Sequence, residues 1–145
     1  MIKRLEIAVL LILTVYASHA DDDKINLSVL IDGGKSETGQ ITATLFDSEK
    51  NYMKNPTASR SVAVNEDGKA QIIFEKLTPG EYAVTVYYDE DSDGKLDKNL
   101  FGIPKEKVGF SNNAKPRMGP APYKKARFML TPEKSKINIT LKKAK

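Results

Sequence analysis

The sequence predicts an all-β protein, an antiparallel β-sandwich of about seven strands with a long ordered loop over one end. Three observations predict it. Apolar and polar residues alternate in short runs, turn-forming residues separate most of those runs, and no stretch carries the spacing of a long amphipathic helix. Each inward row must be buried against another, and two packed sheets do that while leaving a polar face to water. A barrel is the competing closure.

The strands follow in order. From Lys24 to Ile31, Ile25, Leu27, Val29 and Ile31 share one face, with Asn26 and Ser28 on the other, and Asp32-Gly33-Gly34 ends the run. From Gly39 to Phe46, Ile41, Ala43 and Leu45 alternate with Thr42 and Thr44 in a Thr-rich background that favours strands. Residues Asp47 to Thr57 lack a period and contain Asn55-Pro56, so they read as a loop with one helical turn near Glu49 to Met53. Arg60 to Val64 and Lys69 to Phe74 form a hairpin around Asn65-Glu66-Asp67-Gly68. Leu77-Thr78-Pro79-Gly80 turns into Glu81 to Tyr88, where Tyr82, Val84, Val86 and Tyr88 alternate with Ala83, Thr85 and Tyr87. Alternation resumes at Ala126, Phe128 and Leu130, and again at Ile137, Ile139 and Leu141.

Between these last two groups and the fifth strand lies Asn99 to Tyr123, without a period and rich in Gly and Pro. Its large apolar residues, Leu100, Phe101, Ile103, Val108, Phe110, Met118 and Tyr123, argue for order, because a disordered linker would not carry them.

The first residues predict export. Lys3 and Arg4 precede an apolar run from Leu5 to Ala17, and Ser18-His19-Ala20 offers small residues where a signal peptidase reads, so residues 1–20 are expected to be a signal peptide and residues 21–145 the sandwich domain. A membrane anchor is the competing reading, but the run falls short of the roughly 20 residues a spanning helix needs. The expected location is periplasmic or secreted. Without Lys3, Arg4 and Glu6 the 23 basic and 19 acidic residues become 21 and 18, too nearly balanced for a nucleic-acid binder. The chain has no Cys, so an exported form carries no disulfide, and its one His, His19, belongs to the leader.

The chemistry concentrates in Asp89-Glu90-Asp91-Ser92-Asp93-Gly94-Lys95-Leu96-Asp97. Side-chain oxygens at Asp89, Asp91, Asp93 and Asp97, a Gly at the sixth position and the Lys95 carbonyl at the seventh match the first nine positions of a calcium-binding loop. Alternate residues of a tightly wound loop converge carboxylates on one point, and a hard cation neutralises charges that otherwise repel. Calcium is therefore the expected cofactor, with another hard ion or a plain solvent-facing acidic turn as alternatives. Leu96 is placed to pin the loop to the core. The twelfth position, a bidentate Glu in the complete pattern, is Leu100, so a further oxygen must come from outside; Glu106, Ser111, Asn112 and Asn113 are the candidates.

The run YDEDSDGKLDKNLFGIPKEKVGFSNNAK at 88–115, with LTPGEYAV at 77–84 and MGPAPYKKARF at 118–128, closely resembles the bacterial exported family known as domain of unknown function 2141. The resemblance spans nearly all of the chain after the leader. It implies a small sandwich domain behind a signal peptide, with no established activity. The family's acidic run falls on Asp89, Glu90, Asp91, Asp93, Gly94 and Asp97, and its other elements on Phe101 to Pro104 and Gly109 to Asn113. This chain departs from the family in having Tyr88 where a His is frequent, Lys107 where Gly is common, and Val108 where an aromatic is common.

The expected function is that of a noncatalytic, calcium-stabilised binding module of the bacterial envelope, with an envelope protein or glycan as partner. No nucleic acid and no membrane span after leader removal are expected. Tyr87, Phe110 and Tyr123 are candidate aromatic contacts, or else core cover beneath the long segment. A structural or accessory subunit of an envelope complex is the first alternative. A carboxylate-based hydrolase, with Asp89 and Glu106 as the pair, is the second.

Overall fold

The computed structural model of the chain describes residues 23–35 and 38–144. The expected signal peptide, residues 1–20, lies outside the described residues. Among them, nine strands form two sheets: β1 (Ile25–Asp32), β2 (Gln40–Phe46), β3 (Ala58–Ala63), β4 (Ala70–Leu77), β5 (Gly80–Asp89), β6 (Lys107–Phe110), β7 (Phe128–Leu130), β8 (Lys136–Thr140) and β9 (Lys142–Lys143). The smaller sheet has the order β4-β1-β8 and the larger β3-β2-β5-β6-β9, with β7 also pairing β5. All seven expected strands are present, the sixth beginning at Phe128 because Ala126, expected in it, closes a one-turn helix.

The period-2 rows build the core between the sheets. Leu27, Val29 and Ile31 of β1, Ile72 and Phe74 of β4 and Ile139 of β8 face Ile41, Ala43 and Leu45 of β2 and Tyr82, Val84, Val86 and Tyr88 of β5. At roughly 25 cal/mol for each Å² of apolar surface removed from water, this row-on-row burial is the main force holding the sheets together. One pairing departs from the antiparallel pattern: β1 and β8 run parallel, Val29 opposite Ile137 and Ile31 opposite Ile139. A parallel pair needs a long crossover, and here nearly the whole domain intervenes between the two strands.

The long segment is ordered, and part of it is strand. Val108, Gly109 and Phe110 pair with Tyr87, Val86 and Thr85 of β5. Gly109 faces Ile139 of the opposite sheet so closely that a Cβ there would lie 2.6 Å from the Ile139 Cγ2 methyl. Residues after β6 then cross the outer face of the larger sheet, where Ala83, Val108, Phe110, Ala121, Tyr123 and Ala126 form a second apolar cluster, with a one-turn helix, α1 (Tyr123–Ala126), at its edge. Phe110 and Tyr123 therefore cover the sheet and offer no contact surface, and Tyr87 packs against the same cluster. The turn near Glu49 to Met53 forms, Tyr52 N–H donating to Ser48 O at 3.0 Å, and the Tyr52 ring packs edge-on between Phe46 and Tyr123.

Ser111 occupies the gap on β5 between β6 and β7. Its hydroxyl is fully buried, accepts Val84 N–H at 2.9 Å and donates to Ala126 O. Asn112 Nδ2 donates to Lys125 O and Arg127 O at 3.1 and 2.7 Å, and Asn113 Oδ1 accepts Thr140 N–H at 2.9 Å. The Ser-Asn-Asn triplet thus ties β5, α1 and β8 together.

Candidate metal centre

The acidic loop begins where β5 leaves the sheet. Asp89 is the last residue of β5, opposite Gln40 in β2, and is fully buried. That burial is possible because three donors meet its carboxylate: Gln40 Nε2 at 3.1 Å and Gly94 N–H at 2.8 Å on Oδ2, and Asp93 N–H at 3.2 Å on Oδ1. The neighbouring strand must come close to allow this. Gly39 does so with φ +72°, and a Cβ on it would sit 2.5 Å from Asp89 O.

The loop winds as the spacing requires. Asp91 Oδ1 accepts Asp93 N–H at 3.2 Å and Asp93 Oδ1 accepts Lys95 N–H at 2.8 Å, two successive side-chain-to-backbone turns. Gly94 follows at φ +78°, and its carbonyl accepts the Tyr87 hydroxyl at 3.1 Å. Lys95 is exposed and Leu96, half-buried, packs on the outer-face cluster, so it pins the loop as expected. Lys35 from the β1–β2 connection pairs with Glu90, and that pairing holds the Lys35 ammonium above its ordinary pKa.

Glu106, the residue before β6, closes the loop. Its carboxylate is buried and accepts Glu90 N–H at 3.0 Å with Oε1 and Asp97 N–H at 3.3 Å with Oε2, spanning both ends of the acidic run. Of the four outside donors considered from the sequence, Glu106 alone reaches the site; Ser111, Asn112 and Asn113 are engaged with backbone elsewhere, as described above. Carboxylate oxygens of Asp89, Asp91 and Glu106 lie within 4.8 Å of one another, and so do those of Asp91, Asp93 and Asp97, with Asp91 common to both groups.

This donor set fits a hard cation. Every side-chain ligand atom is a carboxylate oxygen, with no imidazole or thiolate. Calcium–oxygen bonds are roughly 2.3–2.6 Å, so ligands on opposite sides of one ion stand about 5 Å apart, and each triad lies within that span.

Without a cation the charges are in conflict. Burial opposes ionisation of Asp89, but the hydrogen bonds from Gln40, Gly94 and its neighbours prevail and hold its carboxyl below the usual range. Asp91 gains from the Asp93 N–H, yet its contact with Asp89 and the charges of Asp93 and Asp97 push it up. Burial, reinforced by the Asp89 and Asp97 charges, pushes Glu106 up against the two N–H groups it accepts. One carboxylate is favoured at the expense of two others, as expected of like charges gathered on one point.

Tyr88, the residue before Asp89, is buried, and its hydroxyl donates to Thr38 O at 2.6 Å. Among the described residues, no helix is long and apolar enough to cross a membrane. The family described as "Uncharacterized protein conserved in bacteria (DUF2141)" matches residues 29–138. No curated protein and no solved structure gives a match.

Proposed function

The chain belongs to that uncharacterised bacterial family, and from the geometry of its acidic loop we propose that it is an exported, noncatalytic binding module whose loop is closed by one calcium ion. The observation that carries the reading is Glu106: a buried carboxylate from the entry to β6 converges with Asp89 and Asp91 where the loop's own twelfth residue, Leu100, has no side-chain oxygen to give. The ligands would be Asp89, Asp91, Asp93 and Asp97, the Lys95 carbonyl and Glu106. The ion supplies positive charge that the loop lacks, and its role is structural. It ties the end of β5 to the start of β6 and stabilises the fold by RT ln(1 + c/Kd), with c the calcium concentration, growing with the logarithm of c above Kd. Lys3-Arg4, the apolar run behind them and Ser18-His19-Ala20 support export to the periplasm or beyond. The absence of Cys, and a single His at position 19, support a noncatalytic role, as does the commitment of Asp89 and Glu106 to backbone donors.

Calorimetric titration of chelator-treated protein with calcium tests this. Binding is expected at roughly 10⁻⁴ to 10⁻³ M, the range of extracellular modules, and Asp91→Ala combined with Asp93→Ala should abolish it. No heat at millimolar calcium, or binding that survives the double substitution, refutes the assignment.

A further inference from the structure

The connection that leaves the acidic loop ends in an apolar tip that the fold leaves uncovered. Residues 98–104 close as a small hairpin. Lys98 bridges Pro104, Asn99 N–H donates to Ile103 O at 2.8 Å, and the Asn99 side-chain oxygen accepts Phe101 N–H and Ile103 N–H at 2.9 and 3.0 Å. Asn99 therefore pins the turn from inside, and Leu100 and Phe101 stand out from it at 103% and 86% exposure. Beside it the Pro116–Pro120 loop carries Met118 at 109%. The two loops border one groove of about 530 Å³, whose walls include Met53, Leu96, Ile103 and Lys98. A lone exposed apolar residue is ordinary, but several on adjoining loops form a patch that marks a binding surface.

Charge and shape indicate the occupant. From Lys98 to Arg127 the chain carries eight Lys or Arg, of which Lys107 is held by Gly33 O and Arg127 by the Glu81 carboxylate, and a single carboxylate, Glu106, which is turned into the acidic site. Lys115 and Arg117 are exposed immediately before Met118, and Lys98 is exposed at the foot of the hairpin. A protein partner would need a recess shaped for each protruding side chain, whereas a lipid surface receives apolar tips without matching their outline and places phosphates against the basic rim. We propose that the 98–104 hairpin and the 116–120 loop dock the protein peripherally on an anionic phospholipid bilayer, with Leu100, Phe101 and Met118 entering the interface and Lys98, Lys115 and Arg117 over the headgroups. This deepens the binding-module reading. It rests on the ion only at the hairpin's base, where Asp97 O accepts Lys105 N–H at 2.8 Å.

Sedimentation with phosphatidylethanolamine–phosphatidylglycerol vesicles, against phosphatidylcholine vesicles, tests it in low and high salt. Wild type and variants are compared in the same form, so that residues 1–22 contribute equally. The wild type should partition onto the anionic vesicles and be released by salt. Leu100→Ser with Phe101→Ser should weaken partition about 100-fold, roughly tenfold for each buried side chain lost. Lys115→Glu with Arg117→Glu should weaken it at least about tenfold at low salt. All four side chains are exposed, so melting temperatures should be unchanged; Met118→Ser gives an independent apolar variant. Wild type left in the supernatant, equal partition onto both vesicle types, or undiminished partition of either double variant overturns the proposal, as does crosslinking of the tip to a protein without vesicle binding. Calcium calorimetry on the same samples separates the two readings. Heat of calcium binding without vesicle binding sinks the membrane proposal alone, and vesicle binding without that heat sinks the metal assignment alone.

Discussion

Replacing Ser111 by Ala removes one oxygen atom from the middle of the larger sheet and changes almost nothing else. The hydroxyl is fully buried, accepts Val84 N–H at 2.9 Å and donates to Ala126 O, filling the interval on β5 that neither β6 nor β7 covers. Its loss leaves one buried donor and one buried acceptor without partners. At about 1–3 kcal/mol for each unsatisfied buried group, the two together should cost about 2–6 kcal/mol. For a domain of this size that corresponds to a fall in melting temperature of roughly 8–24 °C. Urea unfolding should show the same loss as a lower midpoint with an unchanged slope, since the surface exposed on unfolding does not change. Calcium uptake should be unaltered, because Ser111 lies away from the acidic loop. A melting temperature within about 2 °C of wild type would mean that the hydroxyl is not the sole partner of these groups. A changed calcium affinity would return Ser111 to the list of ligands.

Three further outcomes follow from the same geometry. Gly39→Ala places a methyl 2.5 Å from Asp89 O at a positive φ and should destabilise the domain by about 2–4 kcal/mol, read by urea denaturation; a loss below about 1 kcal/mol would show that the β2 entry yields easily. Glu106→Gln removes a charge that burial, with the neighbouring carboxylates, already disfavours, but turns an NH2 towards one of the two backbone N–H groups the carboxylate accepts, so the calcium-free protein should lose about 1–3 kcal/mol, while the stabilisation on adding calcium, about 1.5–3 kcal/mol at ten to a hundred times Kd, should largely vanish; a full gain in the variant would refute the ligand role. Burial pushes Tyr52 up to about 12, and burial followed by the Glu81 contact does the same for Tyr123. Because their folded pKa values exceed the ordinary value of 10.0, the stability they contribute is intact below pH 10 and falls as pH rises towards 12. Tyrosinate absorbance should therefore show a late phase that coincides with unfolding and is reduced in Tyr52→Phe, whereas complete ionisation near pH 10 with the fold intact would contradict the packing described.

The strands that could be read from the sequence are those whose two faces differ. Ile25 to Ile31 and Tyr82 to Tyr88 alternate because one face meets the opposite sheet, and hydrophobic burial writes that period directly into the residues. β6 escaped such reading for a physical reason: its inward position is Gly109, since Ile139 leaves no space for a side chain, while Val108 and Phe110 point to the outer cluster. A strand whose core residue is a glycine has no apolar row to display. The parallel β1–β8 pair was illegible because the alternation of β1 and of β8 is the same for either direction of pairing. At the site, Asp89, Asp91, Asp93 and Asp97 were legible through their spacing, as local turns need only local sequence. Glu106 was one candidate among four, because its choice depends on β6 pairing with β5. The aromatic residues Phe110 and Tyr123 shared a composition signal with Phe101; only the path of the chain separates the two that roof the sheet from the one that stands clear of it.

The parallel seam between β1 and β8 has a consequence for how the molecule comes into being. β1 precedes every other described strand in the chain, yet one of its two edges stays open until residues 136–140 have been made. An amino-terminal fragment can form the β1–β4 and β2–β5 pairings, but it retains a bare strand edge and an unroofed apolar row. Assembly of such a chain is governed by its most distant contact, so it finishes late and all at once, and any holdase that guards the growing chain would find its target in that waiting edge.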